Sequence, residues 1–337
     1  MSFICPRRRA PLVACRTQPG SKRRSMTTLA ALTTLAALAM SPVTAAAGEI
    51  GVTMVPPVGF FKFLRDGIDA RAHQLSGVNV SFAYAEAGAG ATQVEQVRQF
   101  IQRHVDALIV LPADAGSTSA ITALAIAAHT PLVFVNNGPR QDWFAGRVAL
   151  AIPNDIVAGR LQAEKLAEEL HGKGQIVLIM GPASHSAAAM RTQGVRDVLV
   201  HYPDIHVIET ASADWDRQKA RELVAGWLGK GDHFDAVAAN NDEMALGAVA
   251  ALADAGLPDG RIIVAGVDGL PDAVAAIKAH KLSFSVLQDA ALEGRKALDD
   301  ALGLAANAAV QQYDWVPFDL MTEQTLAQAA TSTQRDN

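Results

Sequence analysis

The sequence predicts an α/β fold with two similar doubly wound lobes, each built on a parallel sheet. Short apolar runs alternate with helical segments over almost the whole chain, which is the pattern of a parallel sheet covered on both faces. The alternation forms two consecutive series that meet near residue 153. A chain of 337 residues is long enough for two such domains.

The first series begins after residue 47. Helices are predicted over Phe61–Gln74 and Ala91–Arg103, and a third from Ser117 onwards. The polar sequence Pro153-Asn154-Asp155 then opens a helix that runs through Leu170, where we expect the chain to cross to the second lobe. The predicted strands are short, rich in Val, Ile and Leu, and span Ile50–Val55, Val78–Tyr84, Ala107–Leu111, Leu132–Val135 and Arg147–Ile152.

The second series repeats this order. Helices are predicted around Arg191–Val200, from Arg217, after Asn241 and over Leu292–Leu304, with a short one before the last strand. A second crossing is expected near residue 288. The predicted strands are Gln175–Met180, Ile205–Thr210, Ala236–Ala239, Ile262–Ala265 and Leu282–Leu287.

The N-terminus is predicted to be a secretory signal peptide covering residues 1–47. Residues 1–25 are polar and basic, Thr27–Met40 is uncharged, and Val43–Glu49 consists mostly of small residues. The uncharged run is too short for a membrane span. The Arg23-Arg24 pair permits a twin-arginine signal, but the residues after it match poorly, so we expect ordinary export to the periplasm.

Removal of this leader changes the composition. Both cysteines, Cys5 and Cys15, lie in it, so the mature chain would need no disulfide. The leader also holds seven of the 29 basic residues and no acidic ones, which leaves 22 basic against 34 acidic residues and a net charge near −12. Such an acidic chain without basic clusters is not expected to bind nucleic acid. We expect the mature protein to be a monomer.

Motifs for cofactors and metals are weak. Gly88-x-Gly90 follows a strand, but no third glycine completes a dinucleotide fingerprint, so a loop is the better interpretation. The histidines are scattered, and no metal site or cofactor is expected. His185 follows a strand end and could face a cleft, although we favour a solvated loop for it.

The stretch Val237–Ala248 shows the pattern that suggests a function. An apolar run stops at Asn240, Asn241 and Asp242, and a helix of small residues follows. Ligands of open α/β sheets lie beyond the carboxyl ends of the strands, where Asn241 would stand. The alternative is that Asn241 or Asp242 only caps the helix.

The same pattern recurs at other strand ends. Asn, Gln, Asp and Arg side chains can engage adjacent hydroxyls, and Phe and Trp offer flat apolar faces to a saturated ring. Each residue also has a purely structural explanation, but their recurrence at successive strand ends favours a sugar or polyol site. The candidate residues are Phe60, Phe61, Asn136, Asn137, Arg191, Trp215, Asn241, Asp268 and Gln288.

The sequence resembles the periplasmic sugar-binding proteins of ribose-type ABC transporters, that is, the type I periplasmic binding proteins. The segments GFFKFLRDG, ADWDRQKA, VAANNDEMALGA and VAGVDGLPDA carry this resemblance. It implies two lobes joined by three hinge strands, with the ligand held between them. It also implies that the nine candidate residues fall on ligand-contact positions.

The resemblance further implies lobe boundaries. The N-terminal lobe would comprise 48–152 plus 289–316, and the C-terminal lobe 153–288 plus 317–325, followed by a tail over 326–337.

The chain departs from the ribose pattern at two places. Val58-Gly59 stands where an Asn-Pro is usual, and Asn136-Asn137 where an Asp-Arg is usual. Both departures argue against ribose itself. Two amides can each donate and accept hydrogen bonds, so we expect a neutral polyhydroxy ligand: a pentose, a hexose, a linear polyol or a cyclitol.

The expected function is capture of a sugar or polyol and delivery to a membrane permease. A sensory receptor that presents its bound ligand to a membrane kinase or chemoreceptor is the alternative, because both functions use the closed form. A repressor of the same fold would need an N-terminal DNA-binding motif where this chain has a leader. An enzyme is not expected, since a hydrolase needs two acids around one bond and only Asp268 is placed in the proposed cleft.

Overall fold

The computed structural model describes residues 48–139, 141 and 143–328. The predicted leader and most of the predicted tail lie outside these residues. In the part of the chain that the structure describes, none of the helices has the length and hydropathy that a membrane span requires.

The five strands of the first series and one later strand, β11, form a six-stranded parallel sheet in the order β11-β5-β4-β3-β1-β2. We call this sheet and its helices the first lobe. Its central strands β3 and β4 are buried on both faces, as their uninterrupted apolar sequences require. The elements are β1 (Gly48–Met54), α1 (Phe60–Gln74), β2 (Val78–Tyr84), α2 (Gly90–Gln102), β3 (Ala107–Val110), α3 (Thr118–Ala127), β4 (Leu132–Val135), β5 (Val148–Pro153), α9 (Ala290–Ala305) and β11 (Tyr313–Val316).

The second series forms another six-stranded sheet in the order β12-β10-β9-β8-β6-β7, the second lobe. All of its strand pairs are parallel except β10 with β12. The elements are α4 (Asp155–Glu169), β6 (Lys173–Met180), α5 (Ser186–Leu199), β7 (Asp204–Ser212), α6 (Arg217–Gly229), β8 (Ala236–Ala239), α7 (Asp242–Asp254), β9 (Ile263–Asp268), α8 (Pro271–Lys278), β10 (Phe284–Gln288) and β12 (Phe318–Met321).

The chain passes between the two sheets three times within the described residues. It leaves the first sheet after β5 at Asn154, returns after β10 at Asp289, and passes over again at Pro317, between β11 and β12. The carboxyl ends of both parallel sheets therefore face the connections that join the lobes. This architecture confirms the predicted fold class.

Two close helix–helix crossings, each made at a glycine, hold the helices beside these connections in place. A Cβ on Gly194 of α5 would lie 2.2 Å from the carbonyl oxygen of Ile156 in α4, and one on Gly294 of α9 would lie 2.3 Å from the carbonyl oxygen of Leu64 in α1. Only glycine allows backbones to approach so closely. The two crossings place Arg191 and Glu293, which lie near these glycines in sequence, at the junction between the lobes.

The structure corrects several predicted elements. The loop before Arg191 is shorter than expected, because α5 begins at Ser186 behind a cap from His185, so Arg191 lies inside the helix. The strands β11 and β12 had not been predicted. They have four residues each, carry polar residues on partly exposed faces, and are separated only by Pro317, so neither shows a clear strand pattern.

Candidate functional site

A cavity of about 540 Å³ lies between the carboxyl ends of the two sheets. Its size suits a small-molecule ligand. Eight of the nine candidate residues line it: Phe60, Phe61, Asn136, Arg191, Trp215, Asn241, Asp268 and Gln288.

Asn137 is the candidate that the structure does not bring to the cavity. Asn136, at the end of β4, adopts a positive φ of 66°, which asparagine tolerates better than most residues. The backbone N–H of Asn137 then donates to the carbonyl of Val135 at 2.8 Å, so the chain turns sharply here. Asn136 consequently lines the cavity, whereas Asn137 lies outside it.

Phe60 and Phe61 form an aromatic wall of the first lobe. They open α1 directly after Gly59, whose φ of 54° turns the chain into the helix. Their rings meet edge to face with centroids 5.8 Å apart. Phe60 also packs against the apolar cores of both lobes, so this wall stands where the lobes meet.

Arg191 is a buried cation of the second lobe, and the groups around it fix its guanidinium. Its Nε donates to Asp155 at 2.8 Å and its Nη1 to the carbonyl of Asn240 at 2.8 Å. Nη1 also lies 3.2 Å from Asp268, and Nη2 donates to Gln288 Oε1 at 2.5 Å. Every contact uses Arg191 as donor, as its chemistry requires.

Burial and neighbouring charges oppose each other at this cluster. Burial would lower the pKa of Arg191, but Asp155 and Asp268 hold it above its ordinary value, so the guanidinium stays charged. Burial raises the pKa of Asp268 to about 7, although Arg191 opposes the rise. Burial also holds the pKa of Asp242 well above its usual range, with Asp268 adding to the effect. The cluster thus holds more carboxyl groups than one guanidinium can balance.

Glu293, which we had not predicted, contributes a buried carboxyl to the site. It lies on α9, one helical turn after β10, and accepts hydrogen bonds from Gln288 Nε2 at 2.6 Å and Asn136 Nδ2 at 3.0 Å. Burial raises its pKa to about 8, against the opposing effect of these two bonds. A sequence signal existed, because Glu293 falls on the buried stripe of α9 together with Ala290, Ala297 and Leu298.

Trp215 and His185 form the aromatic wall of the second lobe. Their rings meet edge to face, with centroids 5.5 Å apart, and Arg191 lies 5.9 Å from the indole. The indole packs so closely on Gly181 that a Cβ there would lie 2.3 Å from it. Trp215 itself has a φ of 65°, a conformation that needs support from its surroundings.

The expectation of a solvated loop for His185 was wrong, because its ring lines the cavity. Its Nδ1 accepts from the N–H of Ala187 at 3.3 Å and so caps α5. Burial lowers the pKa of His185. A neutral ring that accepts at Nδ1 carries its proton on Nε2, so His185 can offer a donor to a ligand.

Asn241 combines the two roles that the sequence left open. Its Oδ1 accepts from the N–H of Met244 at 3.0 Å and caps α7, and the residue also lines the cavity. Because the oxygen is used by the cap, the amide nitrogen is the group that can donate to a ligand. Asp242 instead accepts from the N–H of Leu270 and from Ser285, which ties the loop after β9 to the helix.

A family model described as a periplasmic binding protein domain matches residues 50–309. The chain belongs to the periplasmic binding protein family. Members of this family are substrate-binding proteins and not enzymes, and this periplasmic binding protein is a solute-binding protein of the ABC transporter type.

Three individual proteins are similar to this chain. A Rhizobium meliloti protein named for rhizopine binding is 38% identical over 298 residues, with 87% of this chain and 96% of that protein covered. An ABC transporter solute-binding protein from Bacillus halodurans C-125, solved with bound myo-inositol, is 32% identical with a TM-score of 0.77 and coverages of 84% and 97%. The fructose-binding periplasmic domain of a hybrid two-component system is 25% identical with a TM-score of 0.75 and coverages of 86% and 96%.

Proposed function

We propose that this protein is exported to the periplasm, captures a neutral sugar or polyol in the cavity between its lobes, and delivers it to an ABC transporter permease. The single observation that carries the ligand class is the pairing of aromatic walls with fixed hydrogen-bonding groups. Phe60 and Phe61 line the cavity from the first lobe and Trp215 from the second, and Asn241 and Asp268 line it with them. Flat apolar rings suit the C–H faces of a saturated ring, and the polar groups suit its hydroxyls.

Within this class a cyclitol is the ligand that we expect. A relative is named for rhizopine binding and a similar structure holds myo-inositol. Of the two amides that stand in place of an acid and an arginine, only Asn136 supports a neutral ligand, since Asn137 does not line the cavity. Ribose should bind weakly or not at all.

Several further assignments belong to the same proposal. Residues 1–47 form the signal peptide, and the lobes have the boundaries 48–152 plus 289–316 and 153–288 plus 317–325. The mature protein acts as a monomer. The eight candidate residues that line the cavity contact the ligand when the lobes close on it.

The test is a thermal-shift screen of the mature protein against myo-inositol, xylitol, D-ribose, D-fructose and an amino acid. Myo-inositol should raise the melting temperature, and Asp268→Asn should abolish most of this effect. Asp319→Asn, an exposed Asp on β12, is the matched control and should behave like the unaltered protein. A selective response to ribose, or to the amino acid, would contradict the proposal.

A second candidate function is sensing. The likeness to a periplasmic domain of a two-component system favours it. Deletion of this protein's own gene separates the functions: loss of ligand uptake supports transport, whereas loss of a ligand-induced change in gene expression with uptake unchanged supports sensing.

A further inference from the structure

Glu293 touches two residues that line the cavity, although it does not line the cavity itself. One carboxyl oxygen accepts from Gln288 Nε2 at 2.6 Å and the other from Asn136 Nδ2 at 3.0 Å. The side chain is fully buried. Glu293 thus connects β4 of the first lobe to β10 of the second.

The orientation of Gln288 is set from its other side. Arg191 Nη2 donates to Gln288 Oε1 at 2.5 Å, and a guanidinium can only donate. The carbonyl of Gln288 must therefore face Arg191, and its amide nitrogen must face Glu293. An ionised carboxylate can only accept, so its second oxygen requires a donor from Asn136.

This chain of donors and acceptors determines which atom of Asn136 a ligand meets. The Nδ2 group points to Glu293, and the amide is planar, so Oδ1 lies on the other branch of the side chain. We infer that Glu293 is a positioning residue that holds Asn136 with its oxygen toward the ligand. While Glu293 is ionised, this end of the site then selects a ligand group that donates, such as a hydroxyl, and rejects one that only accepts, such as a ketone. The inference rests on the proposed function.

The variant Glu293→Gln makes the inference testable. Its side chain has one oxygen and one NH2 group, so it can accept from only one of its two neighbours. Gln288 cannot turn, because Arg191 fixes its carbonyl. Asn136 must therefore reverse and present its NH2 group to the cavity. Asp300→Asn is the matched control, since it lies on the same helix and does not line the cavity.

The first measurement is the proton NMR shift of the Asn136 side-chain amide, assigned by its loss in Asn136→Ser. At pH 9 the Asn136 amide proton that is hydrogen-bonded to Glu293 should resonate downfield in the unaltered protein and in Asp300→Asn. It should return to the position of a solvated amide in Glu293→Gln. An unchanged signal in Glu293→Gln would overturn the inference. This measurement needs no ligand, so it decides the role of Glu293 even if the proposed function fails.

The second measurement, also at pH 9, is calorimetric binding of myo-inositol and of the inososes, in which one hydroxyl is replaced by a ketone. A hydroxyl can donate or accept, whereas a ketone only accepts. The unaltered protein should bind at least one inosose about ten to a hundred times more weakly than myo-inositol. Glu293→Gln should reduce this preference at least about tenfold. An equal preference in both proteins would overturn the inference, and an absence of myo-inositol binding in the unaltered protein would count against the proposed function instead.

A pH titration of the unaltered protein provides an independent test if Glu293→Gln does not fold. A protonated Glu293 has a proton to donate, so it should turn Asn136 as Gln does. The charged and titratable groups that act on Glu293 are Asp155 and Arg191, and Asp268 and His185 titrate nearby. The Asn136 signal should move upfield as the pH falls from 9 to 6. A constant signal over this range would overturn the inference.

Discussion

Replacing Glu293 by Gln should change how the stability of the ligand-free protein depends on pH. The carboxyl has an ordinary pKa of 4.5 when the chain is unfolded, and burial raises it to about 8 in the folded protein. The folded state therefore binds the proton more tightly. The stabilisation that this tighter proton binding gives the folded state is fully present below pH 4.5 and is lost as the pH rises toward 8. A Gln side chain does not titrate, so the variant loses no stability in this way as the pH rises.

The magnitude follows from the two pKa values. They differ by about 3.5 pH units, and each unit corresponds to about 1.4 kcal/mol. The full difference amounts to about 5 kcal/mol, which is a large part of the stability of an ordinary domain. Glu293 is fully buried, so solvent does not screen this effect. Most of the loss, about 4 kcal/mol, should fall between pH 5 and pH 8.

Urea unfolding followed by tryptophan fluorescence measures this effect. The free energies of unfolding of the two proteins should be similar at pH 5, and Glu293→Gln should become the more stable one by several kcal/mol at pH 9. Asp300→Asn offers a comparison, because burial raises the pKa of Asp300 to about 7 and the residue is only half-buried. Its smaller effect should level off near pH 7. A free-energy difference for Glu293→Gln that stays constant within about 1 kcal/mol from pH 5 to pH 9 would show that folding does not raise the pKa of Glu293.

The other predictions concern the ligand, the aromatic wall and the helix crossing. Asp268→Ala should cost about 1–3 kcal/mol of binding free energy, or one to two decades in affinity by calorimetry, whereas Asp319→Ala should cost none; equal affinities would refute the assignment. Binding should change the tryptophan fluorescence, and Trp215→Phe should remove most of this change; retention of the whole change would show that another tryptophan reports it. Gly194→Ala should lose about 1–3 kcal/mol of stability, because its Cβ meets a backbone oxygen of α4 at 2.2 Å. Gly226→Ala, which has open space in α6, should gain about 0.4–1 kcal/mol, and similar urea midpoints for the two variants would contradict the packing argument.

The regular part of the fold could be predicted from the sequence because its pattern is local. The central strands are uninterrupted apolar runs, and a polar residue marks the end of most of them, as Asn136, Asn241 and Asp268 do. The carboxyl ends of parallel strands share one edge of a sheet, so residues distant in sequence could be assigned to one site. The apolar pattern did not predict β11 and β12, because their strand character comes from pairing with β5 and β10 rather than from their own sequence.

Apart from His185, which lines the cavity, the missed residues discussed above are those that touch other side chains rather than the cavity. Glu293 acts through Asn136 and Gln288, and Asp155 acts through Arg191. The contacts of Glu293 with Asn136 and of Asp155 with Arg191 join residues far apart in the chain, and no spacing along the sequence expresses them. Asn137 was misplaced for the opposite reason: it is adjacent to Asn136, but the tight turn between them carries it away from the cavity.

A crystal structure of the mature protein grown with myo-inositol tests whether the cavity is the ligand site. We predict one ring in the cavity, between Phe60, Phe61 and Trp215, with its hydroxyls hydrogen-bonded to Asn136, Asn241 and Asp268. A cavity that stays empty at saturating myo-inositol, or a ring bound elsewhere on the molecule, would contradict it.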